Sequence, residues 1–230
     1  MSLATLRKNV CTNIDIGTAL KEIAANPHIG DELAFDLLDG RHIECAVTDI
    51  NDNAIRFDSV DCLGDDMTYG KVEKWLDRID HLLPDELQRA IIDTERKHVI
   101  NGKKMDRLER LFLPAASELF SGDNVLGDKG LYKQIDWYKD RRHRMRMDEH
   151  NGDSTAYWTS SQRSGSSANF CGVDSSGSAG TTSASYTWLS APVCFRIRKS
   201  PTNIPAPLVG AVYADFLINK ERKCPNENQI

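Results

Sequence analysis

The residues best suited to chemistry lie near the end of the chain. Between positions 151 and 190, 12 of 40 residues are Ser, 5 are Gly and 5 are Thr, and only Asp153, Arg163 and Asp174 are charged. Flexible linkers share that composition. A linker has no reason, however, to carry Tyr157, Trp158, Phe170, Tyr186 and Trp188. The mixture predicts short strands and ordered loops pinned by aromatic side chains. Short hydroxyls adapt their hydrogen bonds, and Tyr and Trp supply contact area at low entropic cost, as in antibody paratopes. The predicted ligand-binding residues are Tyr157, Trp158, Ser160, Arg163, Ser166, Asn169, Asp174, Ser176, Thr182, Ser185 and Tyr186. Arg163 stands out because a lone guanidinium among hydroxyls can make a directed, bidentate contact. The plainer assignment makes Trp158 and Trp188 core anchors and the serines loop solvation. The two assignments are compatible.

Other catalytic chemistry is poorly represented. The histidines at 28, 42, 81, 98, 143 and 150 show no metal-binding spacing, and no GxSxG elbow, GxGxxG or P-loop occurs. Cysteines at 11, 45, 62, 171, 194 and 224 form no CxxC pair. Five basic residues fall within Lys139–Arg146 and could meet phosphate or an acidic partner. The simpler reading pairs them with Asp136, Asp140, Asp148 and Glu149. No cofactor or metal is implied.

These residues need a scaffold. Residues 17–25 predict a short helix ended by Asn26-Pro27. Leu33, Phe35 and Leu37, then Ile43, Cys45 and Val47, alternate on either side of Asp39-Gly40, a strong two-residue hairpin signal. Ile55 and Phe57 continue an antiparallel meander over 31–60. Val72, Trp75, Leu76 and Ile79 share one helical face. Pro84 opens another helix with Asp85 and Glu86 in its first turn, and Leu87 and Ile91 inward. Residues 94–107 read as a polar loop, 111–113 as a buried strand before a brief helix through 118–120, and Leu131–Tyr138 as a helix. Val193, Phe195 and Ile197 predict a closing strand, and 200–207 a Pro-containing spacer before the tail.

With 230 residues and a net charge of -5, the chain is large enough for a substantial core and lacks the basic field of a nucleic-acid binder. No apolar run approaches the ~18 residues of a membrane span. The N-terminus, MSLATLRKNVCTNIDIG, lacks a signal-peptide apolar core. The expected location is therefore cytoplasmic or virion-associated, with reduced thiols.

Four segments carry a resemblance: GDELAFDLLDGRHIECAV, LFLPAASELFSGD, YWTSSQRSGSSANFCGVDSSGSAG and APVCFRIRKS. In this order they resemble an uncharacterised family of gut-bacterial and phage genomes. The C-terminal half of that family is similar to the C-type-lectin-like fold of formylglycine-generating-enzyme-like proteins. The resemblance covers about residues 30–198 and implies a lectin-like fold more firmly than a function. Variable proteins of diversity-generating retroelements belong to the wider group, and Ser160–Tyr186 has their small, polar, Tyr-containing character. A calcium-dependent sugar site would draw on Asn151, Asp153, Asn169 and Asp174, too few for 6–8 oxygen ligands. The Glu-Pro-Asn and Trp-Asn-Asp triplets are missing. The resemblance also suggests an oxygen-dependent pair in Cys171 and Cys194, on strands expected to be neighbours. The simpler reading is two small buried hydrophobes.

The expectation is an α+β protein: an antiparallel meander with helices and a C-type-lectin-like C-terminal half. An N-terminal arm (1–29) precedes one domain (30–199), and a spacer and tail (200–230) follow. The expected function is non-enzymatic binding of a protein or cell-surface ligand, phage or prophage encoded, without nucleic acid or membrane insertion. Alternatives are a virion or tail assembly protein, homo-oligomeric through arm and tail, and a formylglycine-generating-enzyme-like oxidase.

Overall fold

Alternating apolar residues at 33–37 and 43–47 build the first sheet. In a computed structural model describing residues 15–63, 66–122, 126–148 and 152–200, β1 (Glu32–Asp36), β2 (His42–Ile50) and β3 (Ala54–Ser59) form the expected antiparallel meander. Leu33, Phe35, Ile43, Cys45 and Val47 are all buried. The first turn differs in detail. Leu37 donates its amide to the Arg41 carbonyl, Gly40 donates to Leu37, and Gly40 alone takes positive φ (87°). Leu38, Asp39 and Gly40 therefore form a three-residue loop ending in a left-handed glycine, where two residues were expected.

The chain returns from its far end to complete this sheet. β12 (Cys194–Arg198) pairs antiparallel with β3, and the short β6 (Leu111–Phe112) pairs with β12, giving the order β1-β2-β3-β12-β6. Phe57 and Phe195 sit opposite each other and stack, ring centroids 5.2 Å apart. Both faces of β3 are covered. Ile55 and Phe57 point into the apolar core, while Arg56 and Asp58 point the other way and are also buried.

Helices close the apolar face. α2 (Val72–Leu82) buries Val72, Trp75 and Ile79, as its spacing predicts. α3 (Asp85–Ala90) starts after Pro84 and buries Leu87. α1 (Ile16–Ala25) is capped by Asp15, whose carboxylate accepts the Thr18 amide at 3.1 Å. Although expected on an outlying arm, α1 buries Leu20 and Ala24 in the main core cluster. The described residues through Lys199 fall within one compact unit. The expected tail lies outside the described residues beyond Ser200.

Two expectations fail. Residues 94–107 are no loop but most of a hairpin, β4 (Thr94–Ile100) and β5 (Lys103–Glu109), joined by Asn101 (φ 52°) and Gly102 (φ 73°). Both turn residues are left-handed, which Asn-Gly adopts readily. The inward positions of β4 are Arg96 and His98, so hydrophobic alternation could not reveal the strand. Leu131–Tyr138 is not a helix either. Gly130 takes φ 80°, Ile135 donates its amide to the Glu118 carbonyl, and only a 3-10 turn forms at Asp136–Lys139. The segment is tied to α4 (Ala116–Leu119) by the Ile135 amide, which a helix would have spent internally, and by Gln134 Nε2, which donates to the Leu119 carbonyl at 2.9 Å.

The Ser-rich stretch is ordered. β9 (Tyr157–Gln162), β10 (Asn169–Val173) and β11 (Ala179–Ser183) form a separate antiparallel sheet in the order β11-β10-β9. The short β7 (Arg146–Met147) and β8 (Ser154–Thr155) pair beside it. Helices and antiparallel sheets together make the protein α+β.

Candidate functional site

Two buried rings hold the Ser-rich sheet in place. Trp158 is fully buried and donates its indole N–H to the Met67 carbonyl at 2.8 Å, with Tyr69 packed edge-on at 5.6 Å. Tyr157 is fully buried too. Its hydroxyl donates to the Arg144 carbonyl at 2.8 Å, and burial pushes its pKa well up. Neither ring reaches solvent, which corrects their placement among the ligand-contacting residues: the positions that fix the strand inside cannot also touch a partner outside. Ser160, half-buried, donates its amide to the Pro114 carbonyl and lines a cleft beside α2 together with Tyr69 and Phe170.

The remaining predicted residues divide between the two ends of β10. At one end the chain turns through Arg163–Ala168. Arg163 donates its amide to the Asn169 carbonyl, Ser166 Oγ accepts the Asn169 amide at 3.2 Å, and Ala184 donates to the Ala168 carbonyl. Strand register places Asn169 opposite Ser183 and Phe170 opposite Thr182. Ser183 and Ser185 hydroxyls meet at 2.8 Å. Tyr186 and Trp188 follow, 44% and 71% exposed, with ring centroids 5.7 Å apart and planes inclined at 51°. Arg163, Ser166, Asn169, Thr182, Ser185 and Tyr186 thus share one end of the sheet. Arg163 is exposed and makes no ion pair among the described residues.

Asp174 and Ser176 sit at the opposite end, five residues of strand away, on the order of 15 Å. Their turn is internally satisfied. Asp174 accepts from the Ser176 amide and hydroxyl and from the Ser178 amide at 2.6–2.9 Å. Desolvation raises its pKa, but the Ser176 and Ser178 hydrogen bonds outweigh it and hold the carboxyl below its ordinary range. Arg141 donates to the Ser176 carbonyl at 2.6 Å. The structure therefore does not join these two residues to the others.

Three contributors escaped the sequence reading. Trp188 read as a core anchor because nothing in its neighbours marks it as outward. Gln162 and Asn101 together brace the patch from below: the Asn101 amide donates to Gln162 Oε1 at 2.7 Å, and Gln162 Nε2 donates to the Ser167 carbonyl at 2.9 Å. The Asn-Gly pair was the available signal. A shallow recess of about 590 Å³ lies between that hairpin tip and Arg163–Ser167. Gly127 supports the same turn, donating its amide to the Gln162 carbonyl at 3.0 Å, and a β-carbon on it would lie 2.1 Å from that oxygen. Gly127→Ala is expected to cost about 1–3 kcal/mol by overpacking, read as a lowered urea midpoint.

The other candidates resolve into structure. The basic run at 139–146 pairs with acids only in part: Lys139 meets Asp136 at 2.7 Å, Arg141, Arg144 and Arg146 donate to main-chain carbonyls instead, and Glu149 lies outside the described residues. Arg142 meets Asp140 at 2.6 Å, and that side-chain hydrogen bond holds the Asp140 carboxyl well below its ordinary range. Arg144 donates to the Gly177 and Tyr138 carbonyls, and Arg146 is buried over the Tyr157 ring. Cys171 lies on β10 and Cys194 on β12, strands of different sheets that do not pair, so the expectation of neighbouring strands is corrected. Among the described residues, no three His, Cys, Asp or Glu side chains are grouped to hold a metal, and no helix is long and apolar enough to cross a membrane.

Comparison of the chain with protein-family models, curated proteins and solved structures finds no match. Function therefore has to be argued from the geometry.

Proposed function

We propose that the protein is a non-enzymatic recognition module, phage or prophage encoded, that binds a protein or cell-surface ligand. Its binding face is the sheet end formed by Arg163, Ser166, Asn169, Thr182, Ser185 and Tyr186, joined by Trp188. The observation that carries this reading is the exposed Tyr186–Trp188 pair. Large rings left in solvent lose the free energy of burial. Two of them side by side, rimmed by hydroxyls and one guanidinium, make an interface hot spot in search of its partner. Backbone hydrogen bonds and the rings of Trp158, Tyr69 and Phe170 stand behind the face, Tyr69 and Phe170 stacking at 3.5 Å. A face fixed before binding loses little entropy on binding. A C-type-lectin-like scaffold is part of the proposal. Its support is the late strand β12 returning to the N-terminal meander, beside a small sheet with polar loops.

The test uses labelled full-length protein titrated onto intact bacterial cells. Saturable binding is expected. Tyr186→Ala with Trp188→Ala should weaken it by about 2 kcal/mol, roughly thirtyfold, with an unchanged far-UV circular dichroism spectrum. Equal binding by a folded double variant removes this face from consideration.

A further inference from the structure

The recess between the β4–β5 hairpin tip and the turn at 163–167 has a volume of about 590 Å³, within the roughly 300–1,000 Å³ of small-molecule sites. Asn101 and Gly102 line one side, and Ser164, Gly165 and Ser167 the other. The buried Gln162 bridges the two sides, accepting the Asn101 amide and donating to the Ser167 carbonyl. Both walls are therefore held before any ligand arrives. Among the described residues, Arg163 is the one charged side chain in the lining.

Arg163 is set apart in a second way. Every other described arginine except Arg198 spends its side chain on an interaction within the fold. Arg198 ends β12 and does not line the recess. The turn at 163–167 does not need the Arg163 guanidinium either. Main-chain bonds close it, from the Ser166 amide to the Arg163 carbonyl and from the Arg163 amide to the Asn169 carbonyl. An unspent guanidinium is a planar fork of N–H donors, the shape that takes a carboxylate through two parallel hydrogen bonds.

No acid competes for that fork in the lining. Asp128, next in sequence to the lining residue Gly127, is buried and accepts from Ser117 and Ser161 instead. Lys103 and Lys104 follow the hairpin turn, exposed and without an ion pair among the described residues, and add to a positive local field. The hydroxyls of Ser164 and Ser167 and the Asn101 Nδ2 also make no hydrogen bond among the described residues. Short hydroxyls and an amide suit the hydroxyls of a sugar ring, and the guanidinium suits an acid carried on that ring.

We propose that this recess binds a sugar acid, its carboxylate on the Arg163 fork and its hydroxyls among Asn101, Ser164 and Ser167. The inference rests on the recognition reading for its setting, because Arg163 and Ser166 belong to both the recess and the recognition face. It names the chemistry that the charged edge of that face takes.

The full chain is titrated with glucuronate and galacturonate, each against its neutral sugar (glucose and galactose), and with inorganic phosphate, followed by amide chemical shifts and calorimetry. At least one sugar acid is expected to bind saturably, shifting residues 99–102 and 162–167. It should bind at least about tenfold more tightly than its neutral sugar and than phosphate. Arg163→Gln, at an exposed position outside the core, should weaken it about tenfold or more with an unchanged far-UV circular dichroism spectrum. Tyr186→Ala with Trp188→Ala should leave it unchanged. Absence of binding by both sugar acids, equal binding of the neutral sugar or of phosphate, shifts confined to residues 183–188, or an affinity indifferent to Arg163→Gln would each overturn the proposal. The cell titration keeps the two readings apart: cell binding that is lost in the Tyr186/Trp188 variant, with no sugar acid bound, leaves the recognition face standing and removes the recess.

Discussion

Glu118→Ala is expected to remove about 3–5 kcal/mol of stability, enough to unfold much of a marginal population at 37 °C. Glu118 is buried at the centre of a charge cluster. Its carboxylate meets Arg56 Nη1 at 2.7 Å and takes two hydrogen bonds from Arg96 at 2.6 and 2.8 Å, while Oε2 accepts the Ala115 amide at 2.8 Å. Arg96 is held between the Phe112 and Tyr132 rings at 4.5 and 4.6 Å. Arg56 also pairs with Asp58, which accepts from the Tyr138 hydroxyl. Deleting the carboxylate leaves the buried Arg96 without an acidic partner and Arg56 with Asp58 alone. Replacing Arg96 and Glu118 together by Met and Leu should cost much less, because no charge is then stranded. Urea unfolding at pH 7 measures all three proteins.

The same cluster sets the acid limit. Desolvation raises the Glu118 and Asp58 pKa values, but Arg56 and Arg96 at Glu118, and Arg56 with Tyr138 at Asp58, outweigh it and depress both. In the unfolded chain these groups titrate near about 4. Their contribution is therefore complete above that range and is lost as pH falls below it, since the unfolded state then binds the protons. Wild type should lose stability steeply below about pH 4. The Met/Leu double variant should show a shallower fall. Parallel curves would mean that the cluster does not govern acid unfolding.

Trp158→Ala carries the second largest effect, about 3–5 kcal/mol. It empties the space between the main core and the small sheet, and leaves the Met67 carbonyl without its indole donor. Trp158→Phe retains most of the volume and should cost roughly 1–2 kcal/mol. The informative readout is amide exchange. In wild type, β9 and β10 should exchange slowly despite their Ser-rich sequence. In Trp158→Ala, amides from 157 to 173 should lose protection before those of β2 and β3. Fast exchange of 157–173 in wild type would contradict the fixed face on which the recognition proposal rests.

The meander, α2, α3 and the closing strand could be read from the sequence because each buries apolar side chains at its own period. The β4–β5 hairpin could not. Its inward residues are Arg96 and His98, and a rule that equates inward with apolar passes over them. The acidic partner of Arg96, Glu118, lies 22 positions away, beyond any local pattern. The candidate face was half legible. Composition located the right segment, but a strand's outward positions become known only once its pairing is known. So composition alone lists Tyr157 and Trp158 among the contacting residues although both are buried, and the core-anchor assignment that covers both tryptophans holds for Trp158 and fails for Trp188, which is 71% exposed.

The turns at 163–168 and 183–188 are fixed by main-chain bonds and by rings beneath them, so their outward side chains carry almost none of the folding free energy. Exchanges there should each fall within ~0.5 kcal/mol of neutral. A lineage could therefore rewrite the outer letters of this surface many times over, acquiring new targets while the grammar underneath stays the same.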